Sequence, residues 1–214
     1  RMALRKKGYR PGVIAMGTNT DPYQPIEKTY RIMRGILQVL QEFRHPVAIV
    51  TKGSLIEQDI DILSEMAADG LCAVGVSVTT LDPKVARAME PRVPSPARRL
   101  QVIHRLSEAG IPVRVMAAPM IPALTDHELE PILKAGREAG ARSASYIVLR
   151  LPREVSPLFR EWVAEHFPDR AARIMGRVRQ LHGGKDYDAQ WGKRMTGQGE
   201  WADLMRARYR IALK

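Results

Sequence analysis

An α/β fold built on a parallel sheet is what this sequence predicts, and three observations predict it. Short apolar runs recur at residues 13–16, 46–50, 71–78, 113–117 and 143–151. Each run ends in a polar loop, and each of the first four loops leads into a segment whose apolar residues stand three and four apart. Continuous apolar runs suit strands buried on both faces, and strands alternating with amphipathic helices at this spacing form right-handed βαβ units.

The first unit sets the pattern. Val13-Ile14-Ala15-Met16 stops at Gly17 and the pair Asp21-Pro22, which cannot continue a ladder. Residues 26–43 follow as a helix, with Ile26, Tyr30, Met33, Ile36, Leu37 and Leu40 on its apolar face and Pro25 suited to the first turn. The second strand, 46–50, ends at Thr51-Lys52-Gly53-Ser54, and residues 56–68 are helical up to Asp69-Gly70. The third ends in Ser77-Val78-Thr79-Thr80 before a helical piece over 82–89. After Glu90-Pro91-Arg92-Val93-Pro94, Ser95-Pro96 reads as N-cap and first helical residue of a helix closed by Gly110. The fourth strand runs into Ala118-Pro119-Met120-Ile121-Pro122, and Thr125 is expected to cap a helix reaching Gly140. Beyond the fifth strand and Pro152 the pattern turns to helices alone, over 156–166, 169–181 and a final segment after Gly199. Residues 1–152 are therefore expected to form the βα core and 153–214 a helical C-terminal extension packed on it. Five strands are too few for a closed eight-stranded barrel, which leaves a partial barrel or an open doubly wound sheet.

With 214 residues, 45% hydrophobic and 27% charged, the chain can bury a full core. No window of about 18 apolar residues offers a membrane span, and the basic residues 1–10 lack the apolar centre of a signal peptide. A cytoplasmic location is expected, and one cysteine, Cys72, fits a reducing compartment. A formal net charge of +11 favours phosphate-bearing partners such as nucleic acid, although a solvated basic surface explains it equally. The sequence contains no Gly-x-Ser-x-Gly, no Walker A and no Gly-x-Gly-x-x-Gly pattern, so acyl and phosphoryl transfer lack their usual support. His45, His104, His127, His166 and His182 show no ligand spacing, and no metal ligands are expected.

In a parallel sheet the C-terminal strand ends lie side by side, and here they carry Thr18 and Thr20, then Thr51 and Lys52, then Ser77, Thr79 and Thr80. Such a rim suits a ligand with a carboxylate, an amine and sugar hydroxyls: Lys52 for the carboxylate, Asp21 or nearby carbonyls for the amine, Ser77 or Thr79 for the ribose. Hydroxyls at strand ends also cap following helices, and that reading stays open.

Taken in order, Gly17-Thr18-Asn19-Thr20-Asp21-Pro22-Tyr23-Gln24-Pro25-Ile26-Glu27, Val50-Thr51-Lys52, Ser77-Val78-Thr79-Thr80 and 90–100 resemble radical S-adenosylmethionine proteins of the spore photoproduct lyase-like group. The resemblance covers nearly the whole chain and implies a partial (β/α) barrel. It implies S-adenosylmethionine bound to a [4Fe-4S] cluster on a C-x3-C-x2-C loop, and a 5'-deoxyadenosyl radical that abstracts hydrogen from substrate. By the same resemblance Thr18, Asn19, Thr20 and Asp21 would meet the methionyl amine, Lys52 the carboxylate, and Ser77 and Thr79 the ribose. Ala117, Met120 and Tyr146 would flank the adenine. An active protein of this kind would also draw on an electron donor such as flavodoxin or ferredoxin.

The departures are specific. No C-x3-C-x2-C is present, Gly17-Thr18-Asn19 stands where the group has Gly-Gly-Glu, and Val115-Met116-Ala117-Ala118-Pro119 replaces Gly-x-Ile-x-Gly. The expectation is the core of a radical enzyme without its cluster-binding segment, inactive as it stands, acting in full length on an unknown substrate, for which the family analogy and the net charge together suggest nucleic acid. The competing readings are a cluster-free basic nucleic-acid or nucleotide-binding βα protein, and a lyase or aldolase using Lys52 as a Schiff-base amine.

Overall fold

A computed structural model describes residues 1–214. Five parallel strands form one open sheet: β1 (Ile14–Met16), β2 (Val47–Thr51), β3 (Cys72–Val78), β4 (Val113–Met120) and β5 (Ser143–Val148). They lie in the order β1-β2-β3-β4-β5. Because that order never reverses, the sheet winds in one direction, as in a barrel, and the doubly wound alternative falls. The register pairs Ile14 with Val47 and Ala15 with Ala48, then Val47 with Cys72 and Val50 with Gly75.

The helices are α1 (Glu27–Tyr30), α2 (Ile32–Glu42), α3 (Ile60–Ala68), α4 (Pro83–Met89), α5 (Pro96–Glu108), α6 (Leu129–Glu138), α7 (Val155–His166), α8 (Pro168–Leu181) and α9 (Glu200–Ala212). None is long and apolar enough to cross a membrane.

Three helix starts differ from the sequence reading, each for a local reason. The single helix expected over 26–43 breaks at Arg31, whose φ of 49° lies in the left-handed region, and α2 restarts beyond it. Glu27 makes the restart tolerable: its buried carboxylate accepts from the Met33 N–H at 2.9 Å, doing the work of an N-cap for α2. The stretch Leu55–Asp59 is a 3-10 turn ahead of α3. Thr125 caps no α-helix; its hydroxyl accepts from the Ile121 N–H at 3.0 Å, and a 3-10 turn, Asp126–Glu128, precedes α6. Ser95 caps α5 as expected, accepting from the Arg98 N–H at 3.3 Å.

Chain contacts divide into two compact units. The first comprises Arg1–Val78, Arg92–Val115 and Ala135–Ser143. Its core joins Leu37 and Leu40 of α2, Leu63 and Met66 of α3 and Val102, Ile103 and Leu106 of α5 to Val47, Ile49, Val74 and Val76 of the sheet, all buried. The second comprises Thr79–Pro91, Met116–Lys134 and Ala144–Lys214. There Ile121, Leu124, Leu149 and Leu151, at and beyond the ends of β4 and β5, pack with Val163 of α7 and Ile174, Met175 and Val178 of α8.

Candidate functional site

The loop after β1 is fixed by its first and fifth residues. Gly17 has φ +87°, and a Cβ there would lie 1.9 Å from the Val50 carbonyl oxygen, so only glycine lets the loop cross the end of β2. Asp21 then ties it down. Its carboxylate accepts from the Thr51 hydroxyl at 2.7 Å, the Lys52 N–H at 2.7 Å and the Tyr23 N–H at 2.9 Å. Thr51 in turn accepts from the Gly53 N–H at 2.8 Å. Beneath the loop, the buried Tyr23 hydroxyl donates to Asp59 at 3.0 Å, and Arg34 bonds both Asp59 and Asp61. Burial pushes the Tyr23 hydroxyl up and, outweighing its hydrogen bonds, also raises Asp59, while the Arg34 guanidinium holds Asp61 down at about 2. Thr18, Asn19 and Thr20, between the two anchors, are exposed.

The strand face on which the neighbouring residues stand follows from the pleat. Cys72 donates its S–H to the Leu63 carbonyl of α3 at 3.2 Å, so the face shared by Cys72, Val74 and Val76 meets the helices. The opposite face carries Ala48 and Val50 on β2, and Ala73, Gly75 and Ser77 on β3. The last registered pair is Thr51–Val76, and Lys52 and Ser77 are the next residue on each chain segment, at the C-terminal ends of β2 and β3. Below them the side chains are small, and Ala15 and Ala73 are exposed although they belong to strands. The first unit thus presents a shallow floor of alanine, glycine and Val50, with Lys52 and Ser77 at its C-terminal rim.

Arg99 completes this rim, and the sequence reading missed it. Only 2% exposed, it donates to the Ser77 carbonyl at 3.1 Å and the Pro94 carbonyl at 2.9 Å, pinning the loop before α5 to the end of β3. The signal was present: Arg99 falls on the stripe of Pro96, Val102, Ile103 and Leu106, an arginine on an apolar face.

In the second unit the expected residues are drawn into structure. The buried Thr79 hydroxyl lies 3.1 Å from both the Glu90 carboxylate and the Ala118 carbonyl. Thr80 donates to the buried Glu128, whose other oxygen accepts from the Leu81 N–H at 2.6 Å. Ala117 and Met120 are fully buried. The Tyr146 ring turns to α9, with its centre 5.0 Å from that of Tyr209, and its hydroxyl is buried without a partner.

A three-thiolate cluster does not fit these residues. The chain has one cysteine, and burial beneath α3 pushes its thiol up to about 11. No set of three His, Cys, Asp or Glu side chains converges as a metal site. S-adenosylmethionine does fit the first unit's donor set: a lysine and a serine at adjacent strand ends, above a floor without bulky side chains.

Relatives place the chain. It is 35% identical over 184 residues to uncharacterised proteins of Mycobacterium tuberculosis and Mycobacterium bovis, a match covering 85% of this chain and 53% of each relative. The chain therefore spans about half the length of these relatives. Its fold is similar to that of a spore photoproduct lyase variant solved with AdoMet and dinucleoside spore photoproduct, at a TM-score of 0.60 and 12% identity, over 99% of this chain and 60% of that one. It is similar also to Streptococcus suis SuiB bound to S-adenosylmethionine, at a TM-score of 0.53 and 15% identity, over 93% of this chain and 35% of that one. The model of the radical SAM superfamily matches residues 2–135, more than half of the chain, and the chain belongs to that superfamily.

Proposed function

We propose that this chain is the S-adenosylmethionine-holding part of a radical enzyme, with the methionyl group over the first unit's rim. One observation carries the reading: Lys52 and Ser77 each directly follow the last registered pair, Thr51–Val76, at the C-terminal ends of the adjacent strands β2 and β3, whose open face carries Ala48, Ala73 and Gly75. Lys52 would pair with the cofactor's carboxylate, and Ser77 would bond a ribose hydroxyl. Thr18, Asn19 and Thr20 would offer carbonyls and hydroxyls to the amine, while Asp21, already engaged with β2, orients them. The assignment of Thr79 to the ribose rests on its strand-end hydroxyl and the resemblance, and those of Ala117, Met120 and Tyr146 to the adenine side on the resemblance alone.

S-adenosylmethionine bound in this way supplies hydrogen-atom abstraction to the superfamily, given one electron from a cluster. Three cluster thiolates are not among residues 1–214, so in this reading they lie in sequence outside them, and a ferredoxin or flavodoxin would serve as donor. Nucleic acid is the substrate class supported by the net charge of +11 and by the dinucleoside ligand of one structural relative. The single, buried cysteine favours one alternative, a cluster-free protein that binds nucleic acid or a nucleotide.

Calorimetric titration of the chain with S-adenosylmethionine tests the proposal. Binding is expected, and Lys52→Ala should weaken it tenfold or more, the loss of a charge-assisted contact being about 1.5–3 kcal/mol. Equal binding by wild type and Lys52→Ala, or none by either, would remove the cofactor from this rim.

A further inference from the structure

A second concave site lies wholly within the second unit and belongs to none of the residues assigned above. It is a cavity of about 410 Å³ between the 3-10 turn before α6, the outer face of α8 and the first turn of α9. Arg170, Arg173 and Arg177 line one wall. Three and four residues apart, they form a row along α8 that spans about 10 Å of its axis at 1.5 Å per residue. Arg170 donates to the Ala123 carbonyl and Arg177 to the Gln180 side-chain oxygen, both neutral acceptors.

The opposite wall has different chemistry. Trp201 and Leu204 supply apolar surface, with Leu204 55% exposed. Asp126 and Glu200 supply two carboxylates; Asp126 accepts from the Trp201 indole N–H at 2.9 Å, which fixes the ring in place. Two carboxylates argue against a bare anion as the ligand. A ligand that is anionic on one side, flat and apolar in the middle and a hydrogen-bond donor elsewhere satisfies all three sets. That is a nucleotide: phosphate for guanidinium, base face for indole, and exocyclic amino group for carboxylate.

We propose that this cavity docks a nucleotide unit of a nucleic-acid strand, the arginine row following successive phosphates. The row's length favours a strand over a lone nucleotide, because one phosphate group cannot meet guanidiniums distributed over about 10 Å of helix. The inference takes its ligand class from the nucleic-acid part of the proposed function and adds the place where the strand is held.

Fluorescence anisotropy of a labelled single-stranded oligodeoxynucleotide, titrated with the chain at several salt concentrations, tests it. Arg173→Glu/Arg177→Glu should weaken binding about tenfold or more and reduce the slope of log affinity against log salt by about 1.4, or 0.7 per lost phosphate contact. Arg137→Glu/Arg142→Glu, an equal change of net charge at exposed positions of the first unit, should leave both nearly unchanged. Arg173→Gln/Arg177→Gln gives the same comparison without charge reversal, and thermal melts check that each variant is folded. Equal losses from the two reversals would mean diffuse charge, and a mononucleotide bound as tightly as the oligonucleotide would mean no strand; either overturns the proposal. Binding by wild type that the α8 variants leave intact would overturn the cavity alone, whereas no oligonucleotide binding by wild type would overturn the nucleic-acid reading itself.

Discussion

Asp21 and Lys52, far apart in sequence, meet at one rim through the Lys52 N–H, yet their side chains do separable work. Asp21 holds three hydrogen bonds across loop and strand, so Asp21→Ala should leave the Thr51 hydroxyl and the Lys52 N–H without their acceptor. We expect a loss of about 2–3 kcal/mol in urea unfolding, with weaker cofactor binding as a consequence of a loosened loop. Lys52→Ala should bear chiefly on binding, weakening it by a larger factor than it lowers the urea midpoint. A variant pair that shifts both quantities together would show the rim to be a single unit. Cys72 gives a second residue-scale prediction. Its thiol is buried, engaged with the Leu63 carbonyl and raised to about 11, so the thiolate is scarce at neutral pH. Disulfide reagents should label it only at the rate of unfolding, and rapid labelling of the native protein would contradict the packing of β3 on α3. Which carboxylate, hydroxyl or arginine turns inward was the least legible part of the sequence. Thr51, Thr79 and Thr80 share the chemistry of Ser77, but their hydroxyls are taken by partners 11 to 48 positions away, such as Glu90 and Glu128, which no local pattern announces.

At the scale of elements the sequence was more informative, because the period of apolar residues is set by the same backbone geometry that forms the element. Each of the five strands overlaps its apolar run, although β4 continues to Met120 through residues read as the following loop, and α5, α7, α8 and α9 fall on the periodic segments. The break at Arg31 was hidden, since the stripe Met33, Leu37, Leu40 continues past it and the compensating Glu27 carboxylate acts from six residues upstream. Two glycines inside helices separate propensity from packing. Gly35 in α2 has nothing within 4 Å of an added Cβ, whereas Gly136 in α6 would place one 2.5 Å from the Val115 side chain. Gly35→Ala should stabilise by about 0.5–1 kcal/mol through helix propensity, and Gly136→Ala should destabilise by about 1–3 kcal/mol as α6 is forced off β4. The helical tail carries its own acid-sensitive clamp. Burial would raise Asp186, but bonds from Ser156 and Arg160 of α7 and Arg179 of α8 outweigh it and hold the carboxyl below its usual range. A group depressed in the folded state stabilises fully above the unfolded value, near pH 4, and loses that contribution as pH falls through the folded one. Asp186→Asn should therefore lower the melting temperature at neutral pH and narrow its gap to wild type below about pH 4.

For the whole molecule, composition bounds the chemistry more tightly than any single contact. A strand order without reversal gives the winding of a barrel, and superfamily membership brings S-adenosylmethionine and, as a rule, an iron-sulfur cluster. Yet the cluster needs three thiolates, and each chain brings one thiol, which lies under α3 at the end of β3 remote from Lys52 and Ser77. The rim and the cluster are thus separable, and the chain allows them to be separated by experiment. Incubated anaerobically with iron and sulfide, residues 1–214 should develop no thiolate-to-iron absorption, while S-adenosylmethionine binding persists undiminished. A longer product that includes a cysteine triad should develop that absorption, and Lys52→Ala in it should reduce cofactor cleavage without reducing cluster content. If cleavage and cluster content fell together, Lys52 would support the cluster's surroundings rather than the cofactor's carboxylate. Absorption from residues 1–214 alone would require thiolates pooled from several chains, and Cys72→Ala would then abolish it.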